Sequence, residues 1–312
     1  CGDEDVGDYA GRVYRRGEGG PGAASERPRV DPPAAFAGVG AAMAAGPDAD
    51  DDGIVGFVAS ATLRNDGGGA VFLGAAAGLV QSGAMTVPDD ALGVLEGNEP
   101  GAYFGSAAAS VDLNGDGLNE LVVGESFATV SGMTTAGRVY VFEGDISGTR
   151  ASDDADHRID GGFPGMRLGN TVCDAGDQDG DGRADIMVSG EFGLTAVVLT
   201  SADLDGDVED SALVRIYDPT SAAPDPFMVG DLDGDGRRDL VALRDGAWVF
   251  TDLAGAAVTD IDPAAVAVST GDGSLFYQAE APGDLAGAGR AEPLLPVPAF
   301  VSAGGPRAGR LP

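Results

Sequence analysis

The chain has 312 residues, 43% of them apolar, enough for one large domain or two ordinary ones. Its 51 acidic and 18 basic residues leave a net charge of −33, and every basic residue is Arg. That balance disfavours nucleic acid and anionic membranes, which both meet basic patches, and favours divalent cations or cationic surfaces. Solubility in a salty or calcium-rich medium would account for the same charge. The 52 Gly and 18 Pro, with only 6% aromatics, suit many turns and short strands packed through small residues rather than long helices. Two cysteines, Cys1 and Cys173, make no disulfide framework. No apolar run reaches the roughly 18–20 residues that cross a bilayer, so no membrane span is expected, and there is no signal-peptide apolar region.

In chain order, Cys1 comes first. A mature bacterial lipoprotein begins with an acylated cysteine, so an N-terminal lipid anchor at Cys1 is one expectation. The strand-like "AGRVYRRGEG" (10–19) close behind it, in place of a long tether, argues the other way. Residues 15–35, rich in Gly and Pro, read as an exposed connection. Next, "VGAAMAAGPDADDDGIVGFVASA" sets Asp48, Asp50 and Asp52 on alternate positions.

The pattern sharpens at "SVDLNGDGLNELVVGES" (110–126) and returns as "AGDQDGDGRADIMVSGE" (175–191) and "VGDLDGDGRRDLVALRD" (229–245). Counting from the first Asp, positions 1, 3 and 5 are Asp112, Asn114 and Asp116; Asp177, Asp179 and Asp181; and Asp231, Asp233 and Asp235. Position 9 is Glu120, Asp185 or Asp239, and Gly holds positions 4 and 6 in all three. Carboxylates this close repel by about 4 kcal/mol per pair at 4 Å in an effective dielectric near 20, so a cation between them is expected. Position 7 is Leu118, Arg183 or Arg237. Free variation there fits a ligand supplied by the backbone carbonyl. Oxygen-only coordination by six to eight ligands is the calcium pattern, and Gly supplies the positive φ of the tight curl.

An EF-hand shares this start but needs a bidentate Glu at position 12 and flanking helices. Position 12 here is Val123, Val188 or Ala242, and each loop runs into an apolar stretch rich in β-branched residues. Acidic turns that are merely solvated are the alternative, and three matching copies weigh against it. The copy with Asp48, Asp50 and Asp52 has Gly56 at position 9 and reads as a weaker calcium site. "GDLAGAGRAEPLL", with Asp284 at position 1 and Glu292 at 9, has Ala286 and Ala288 where carboxylates belong and reads as non-binding. About three strong sites are therefore expected.

First positions at 48, 112, 177, 231 and 284 are spaced by 64, 65, 54 and 53 residues. After each loop a second strand is expected, and in four units a third: "GGAVFLG" (68–74), "AGRVYVFEG" (136–144), "LTAVVLTS" (194–201) and "GAWVFTD" (246–252). Three or four short strands per unit make an antiparallel blade, and five such repeats predict an all-β fold, a β-propeller. The stretch "ADLDGDVEDSALVRI" (202–216) alternates Asp203, Asp205 and Asp207 but has Ser211 at position 9, so it reads as a solvated connector.

Phe104-Gly105 before "DLNGDGLNE", then "LVVG" and "AGRVYVFEG", resembles the FG-GAP repeat of integrin alpha-chain propellers and their bacterial relatives. The resemblance covers roughly residues 36–300. It implies a single propeller domain over 1–312, calcium loops on one rim, and partners on the opposite face. Five loops rather than the integrin seven leave two expectations open: the N-terminal strand closes a ring of five to six blades, or the chain is a fragment of a larger propeller.

Enzyme signatures are poor. One histidine, His157, and no lysine leave no zinc-protease motif, P-loop lysine or Schiff base. "GESFA" around Ser126 lacks the second glycine of a nucleophile elbow. Cys173 and Trp248 read as packing residues. The expectation is a secreted or surface-exposed calcium-binding propeller that binds a protein or glycan. The alternative is a propeller within a secreted hydrolase, either non-catalytic or bearing the active site itself.

Overall fold

The computed structural model describes residues 13–14, 29–31, 38–47, 56–75, 84–144, 146–191, 194–199, 204–208, 212–217, 225–228, 230–231, 234–243, 247–250, 259–260, 266–268, 301–302 and 305–306. The architecture follows from what happens to runs such as Leu121-Val122-Val123. Every residue of the strand Glu120–Glu125 is buried, because Leu121 and Val123 pack toward one neighbouring sheet and Val122 toward another. A strand covered on both faces reads as a continuous apolar run rather than an alternating one.

Four sheets repeat one plan. The first runs Val39–Ala45, Phe57–Ala61, Ala70–Gly74 and Gly93–Glu96, each strand antiparallel to the last. The second runs Phe104–Val111, Glu120–Glu125, Arg138–Phe142 and His157–Asp160. The third runs Thr171–Gly176, Asp185–Ser189, Leu194–Leu199 and Ala212–Tyr217. The fourth runs Asp225–Met228, Leu240–Leu243, Ala247–Phe250 and Val266–Val268. The chain is all-β with antiparallel meanders, and the strands expected after the first four loops stand where the patterns put them, whereas the fifth repeat, from Asp284 to Glu292, lies outside the described residues. Among the described residues the short segments with helix-type hydrogen bonds are Arg64–Gly67, which has positive φ at Asn65 and Asp66 and is a hairpin turn, and the single 3-10 turn Ser152–Asp154.

A fifth strand completes three of these sheets, and it comes from the following unit. Gly148–Ala151 lies parallel to Gly93–Glu96, Gly206–Asp207 to His157–Asp160, and Thr259–Asp260 to Ala212–Tyr217. Each covers backbone groups that an edge strand would otherwise leave open. This corrects two expectations. Residues 202–216 are not simply a solvated connector, since Gly206–Asp207 pairs with the second sheet and Ala212–Tyr217 is the outer strand of the third. Residues 15–35 are not wholly an exposed connection either. Arg29–Asp31 pairs with Val13–Tyr14 and Ala84–Thr86, and Val30 is buried.

Close approach of the sheets depends on small residues. Phe104 is fully buried between the first two sheets, edge-on to Tyr140 and Phe142 at ring-centroid distances of 5.5 and 6.4 Å. Gly105 follows it at φ +85, a conformation costly for other residues, with Ser60 pressed against the place a Cβ would occupy. Cys173 is only partly buried, and the core position on that strand belongs to Val172. The side-chain surroundings of Trp248 lie outside the described residues.

Candidate metal centre

Each acidic loop joins the first strand of a sheet to the second, so its last carboxylate opens that second strand at Glu120 and Asp185 and stands just before it at Asp239. Glu120, Asp185 and Asp239 are all buried. In the first loop the Leu113 N–H donates to Glu120 Oε2 at 2.7 Å and the Asn114 amide donates to Oε1 at 3.0 Å. In the second the Gln178 N–H donates to Asp185 Oδ2 at 2.8 Å. The acid at position 9 therefore ties down the backbone of position 2 as well as facing the loop.

Position 1 organises the curl. Asp112 accepts from the N–H groups of Gly115 and Gly117 at 2.8 and 3.0 Å. Asp177 accepts from Gly180 and Gly182 at 2.7 and 2.9 Å, and Asp231 from Gly234 and Gly236 at 2.6 and 2.9 Å. Position 5 caps position 7 in every loop: Asp116 accepts from Leu118, Asp181 from Arg183 and Asp235 from Arg237, each at 2.8 Å. Three segments of different sequence thus share one hydrogen-bond plan, because the Asp and Gly positions are the same.

In the second loop, carboxylate oxygens of Asp177, Asp179 and Asp185 all lie within 4.8 Å of one another. Ligands around one calcium ion at about 2.3–2.6 Å stand at most about 5 Å apart, so this trio fits a single hard cation. Asp181 is outside the trio. The first loop has Asn114 at position 3, whose carbonyl Oδ1 accepts from the Asp116 N–H at 2.8 Å. Burial raises the Glu120 pKa, hydrogen bonds from Leu113 and Asn114 work against that, and the charges of Asp116 and Glu143 raise it further. A cation would reverse that penalty. Asp233, and the set Asp48, Asp50 and Asp52, lie outside the described residues.

Neighbouring loops touch. The Ala184 N–H, at position 8 of the second loop, donates to the Asp112 carbonyl at 3.3 Å. Arg238, at position 8 of the third, pairs with Asp174 at 3.0 Å and donates to its carbonyl at 3.1 Å, while the buried Gln178 amide donates to the Arg238 carbonyl at 2.9 Å. Sequence reasoning missed Gln178, Asp174 and Arg238. Their only signal was departure from the repeat, since Leu113 stands where Gln178 does. It also missed a stack around Phe127 at the other end of the strands, with Tyr103 edge-on at 4.8 Å and the Arg167 guanidinium at 4.4 Å. Ser126 is buried there, its N–H donating to Ser106 Oγ at 3.2 Å.

A family model for the FG-GAP repeat matches residues 104–142, the stretch from Phe104-Gly105 through the first loop to the third strand of the second sheet. That stretch is similar to an FG-GAP repeat. The chain is also similar to mouse phosphatidylinositol-glycan-specific phospholipase D, 41% identical over 100 residues, 32% of this chain and 12% of that protein. Integrin alpha-4 of Xenopus laevis is 35% identical over 139 residues, 44% of this chain and 12% of that protein. Integrin alpha-PS5 of Drosophila melanogaster is 30% identical over 166 residues, 50% of this chain and 16% of that protein. The chain thus spans a small part of the length of each. Among its described residues no helix is long and apolar enough to cross a membrane.

Proposed function

We propose that this FG-GAP chain is a calcium-stabilised β-propeller that acts outside the cell as a binding or adhesion module for a protein or glycan. The observation that carries the reading is the Asp177, Asp179 and Asp185 trio, set in a loop whose plan recurs at Asp112 and Asp231. In it, Asp112, Asn114, Asp116 and Glu120, with the Leu118 carbonyl, hold one ion. Asp177, Asp179, Asp181 and Asp185 with the Arg183 carbonyl hold a second, and Asp231, Asp233, Asp235 and Asp239 with the Arg237 carbonyl a third. When bound, calcium supplies charge neutralisation, and the loop's own residues fix the spacing between the two strands it joins. Extracellular modules of this strength fill at about 10⁻⁴–10⁻³ M calcium.

Support for the propeller comes from the four like sheets and from strands buried throughout, Ala70–Gly74, Glu120–Glu125 and Asp185–Ser189, since radial stacking leaves only short, protected edges. Support for an adhesion role comes from similarity to two integrin alpha chains. A second reading, a propeller accompanying a secreted hydrolase, is favoured by similarity to a phosphatidylinositol-glycan-specific phospholipase D. Calcium titration with calorimetric melting tests the metal role: melting that is identical with calcium and with chelator rejects it. Turnover of a glycan or phosphoester by the isolated chain would favour the hydrolase reading over the module.

A further inference from the structure

The sole histidine sits far from any enzyme motif but at a mechanical junction. His157 opens the outer strand of the second sheet, and both its ring nitrogens face carboxylates: Asp205 Oδ2 lies 3.0 Å from Nδ1, and Glu143 Oε1 lies 3.2 Å from Nε2. A neutral imidazole carries one N–H and one lone pair, so it can donate to only one of them. The doubly protonated ring satisfies both. Asp205 also accepts the Arg158 N–H through Oδ1 at 3.1 Å, and so grips the start of the strand with both oxygens.

Asp205 belongs to the segment 204–208 that supplies the fifth strand. Leu204 and Val208 are buried in the core at its two ends, and the Val208 N–H donates to the Asp160 carbonyl at 3.0 Å. The residues between, Asp205, Gly206 and Asp207, are exposed. Asp205 and Gly206 border a cavity of about 330 Å³ whose walls include Ser152, Asp153, Asp156 and Asp160.

We propose that residues 204–208 form a pH-sensitive strap whose middle is held over this cavity by the His157 imidazolium and lifts when the ring loses its proton. The groups around the ring are Asp205 on the strap, Glu143 after the neighbouring strand, Asp153 and Asp156 in the preceding turn, and Arg158 and Asp160 on its own strand. Asp156 is occupied by Arg150 at 3.2 Å, and Asp160 by Arg138. Deprotonation leaves a lone pair against one of the two carboxylates and removes the ring's positive charge from between Asp205 and the acidic turn, so that the hold on the strap weakens while the Arg158 charge still acts on Asp205. Burial pulls the His157 pKa down, but the hydrogen bonds and charges of Asp205 and Glu143 outweigh it and hold the pKa above the ordinary value. The strap is therefore closed below the ordinary imidazole pKa and opens as pH rises through the raised one. Opening uncovers the outer backbone edge of His157–Asp160 and the mouth of the cavity.

The test is amide hydrogen exchange of Gly206, Asp207 and Val208 in the full chain from about pH 5.5 to about pH 9, with saturating calcium throughout so that the loops do not change state. Exchange is expressed as protection relative to the intrinsic rate at each pH. Protection should fall by about three- to tenfold with rising pH, in step with the single histidine resonance in the proton NMR spectrum. His157→Phe should show the low protection at every pH, and His157→Arg, permanently charged, the high protection at every pH. Protection that does not track the histidine titration, or a His157→Arg variant that keeps the wild-type pH dependence, overturns the strap.

Discussion

The Tyr140 hydroxyl donates to Glu125 Oε2 at 2.7 Å in a site where both side chains are buried. Glu125 Oε1 is buried too and makes no hydrogen bond with the described residues. Burial therefore dominates, and it pushes the Glu125 pKa up to about 7, with the Tyr140 hydrogen bond and the Arg138 charge working against it. Burial and the nearby Glu125 charge raise the Tyr140 pKa in turn. The repeat offers no precedent, since Ala61 and Gly190 stand at this position in the flanking units.

A carboxyl that holds its proton more tightly when folded costs stability as pH rises. Below the unfolded value near 4.5 both states are protonated and Glu125 is neutral to the balance. Between there and about 7 the unfolded chain releases the proton first, and stability falls until it levels off above that point. Glu125→Gln keeps an acceptor for Tyr140 and removes the charge. It should flatten this part of the pH–stability curve and be more stable than wild type at pH 8 by roughly 1–3 kcal/mol, read from urea melts at fixed calcium.

Two acids of the second loop should fail differently. Asp179 is exposed, so Asp179→Ala should leave the calcium-free melt within about 0.5 kcal/mol of wild type and remove one site's share of calcium stabilisation. At tenfold excess over Kd that share is about 1.4 kcal/mol. Asp185 is buried and receives the Gln178 N–H. Asp185→Ala should therefore cost about 1–3 kcal/mol even in chelator. Equal calcium-free melts for the two variants would contradict the division of labour between tip and base of the loop.

Gly124 marks the approach of the second and third sheets, where an added Cβ would stand 2.1 Å from the Gly169 carbonyl oxygen. The nearest atoms all belong to the Gly169 backbone, so none can swing aside. Gly124→Ala should destabilise by about 1–3 kcal/mol or more, with an unchanged denaturant slope, as chemical unfolding will show.

Ser131 has φ +50 in the tight turn between Val130 and Met133, whose backbone groups pair at 2.8 and 3.1 Å. Its side chain is exposed, so little contact is lost with it. Ser131→Gly should raise stability or leave it level, by at most about 1 kcal/mol, whereas Ser131→Val should lower it. Thermal melts of the pair decide.

Legibility in the sequence followed the range of each interaction. Loop residues answer to neighbours two to seven positions away, so the spacing of Asp and Gly exposed the loops directly. The apolar runs behind them marked strands, while burial on both faces was decided by the stacked sheets. Harder to see was the acid at position 9 as a structural anchor, because a ligand and a backbone acceptor call for the same carboxylate.

By itself the sequence determined that acidic curls recur at near-regular spacing and that each launches a strand, since those features are written in contiguous residues and in steric limits on φ. Tertiary structure alone decided which unit lends its fifth strand to which sheet, that Asp205 meets His157 across 48 positions, and that Glu125 is shut away beside Tyr140. Such pairings depend on how sheets stack and which backbone edges stay open, and burial then changes what the same side chain does as an acid.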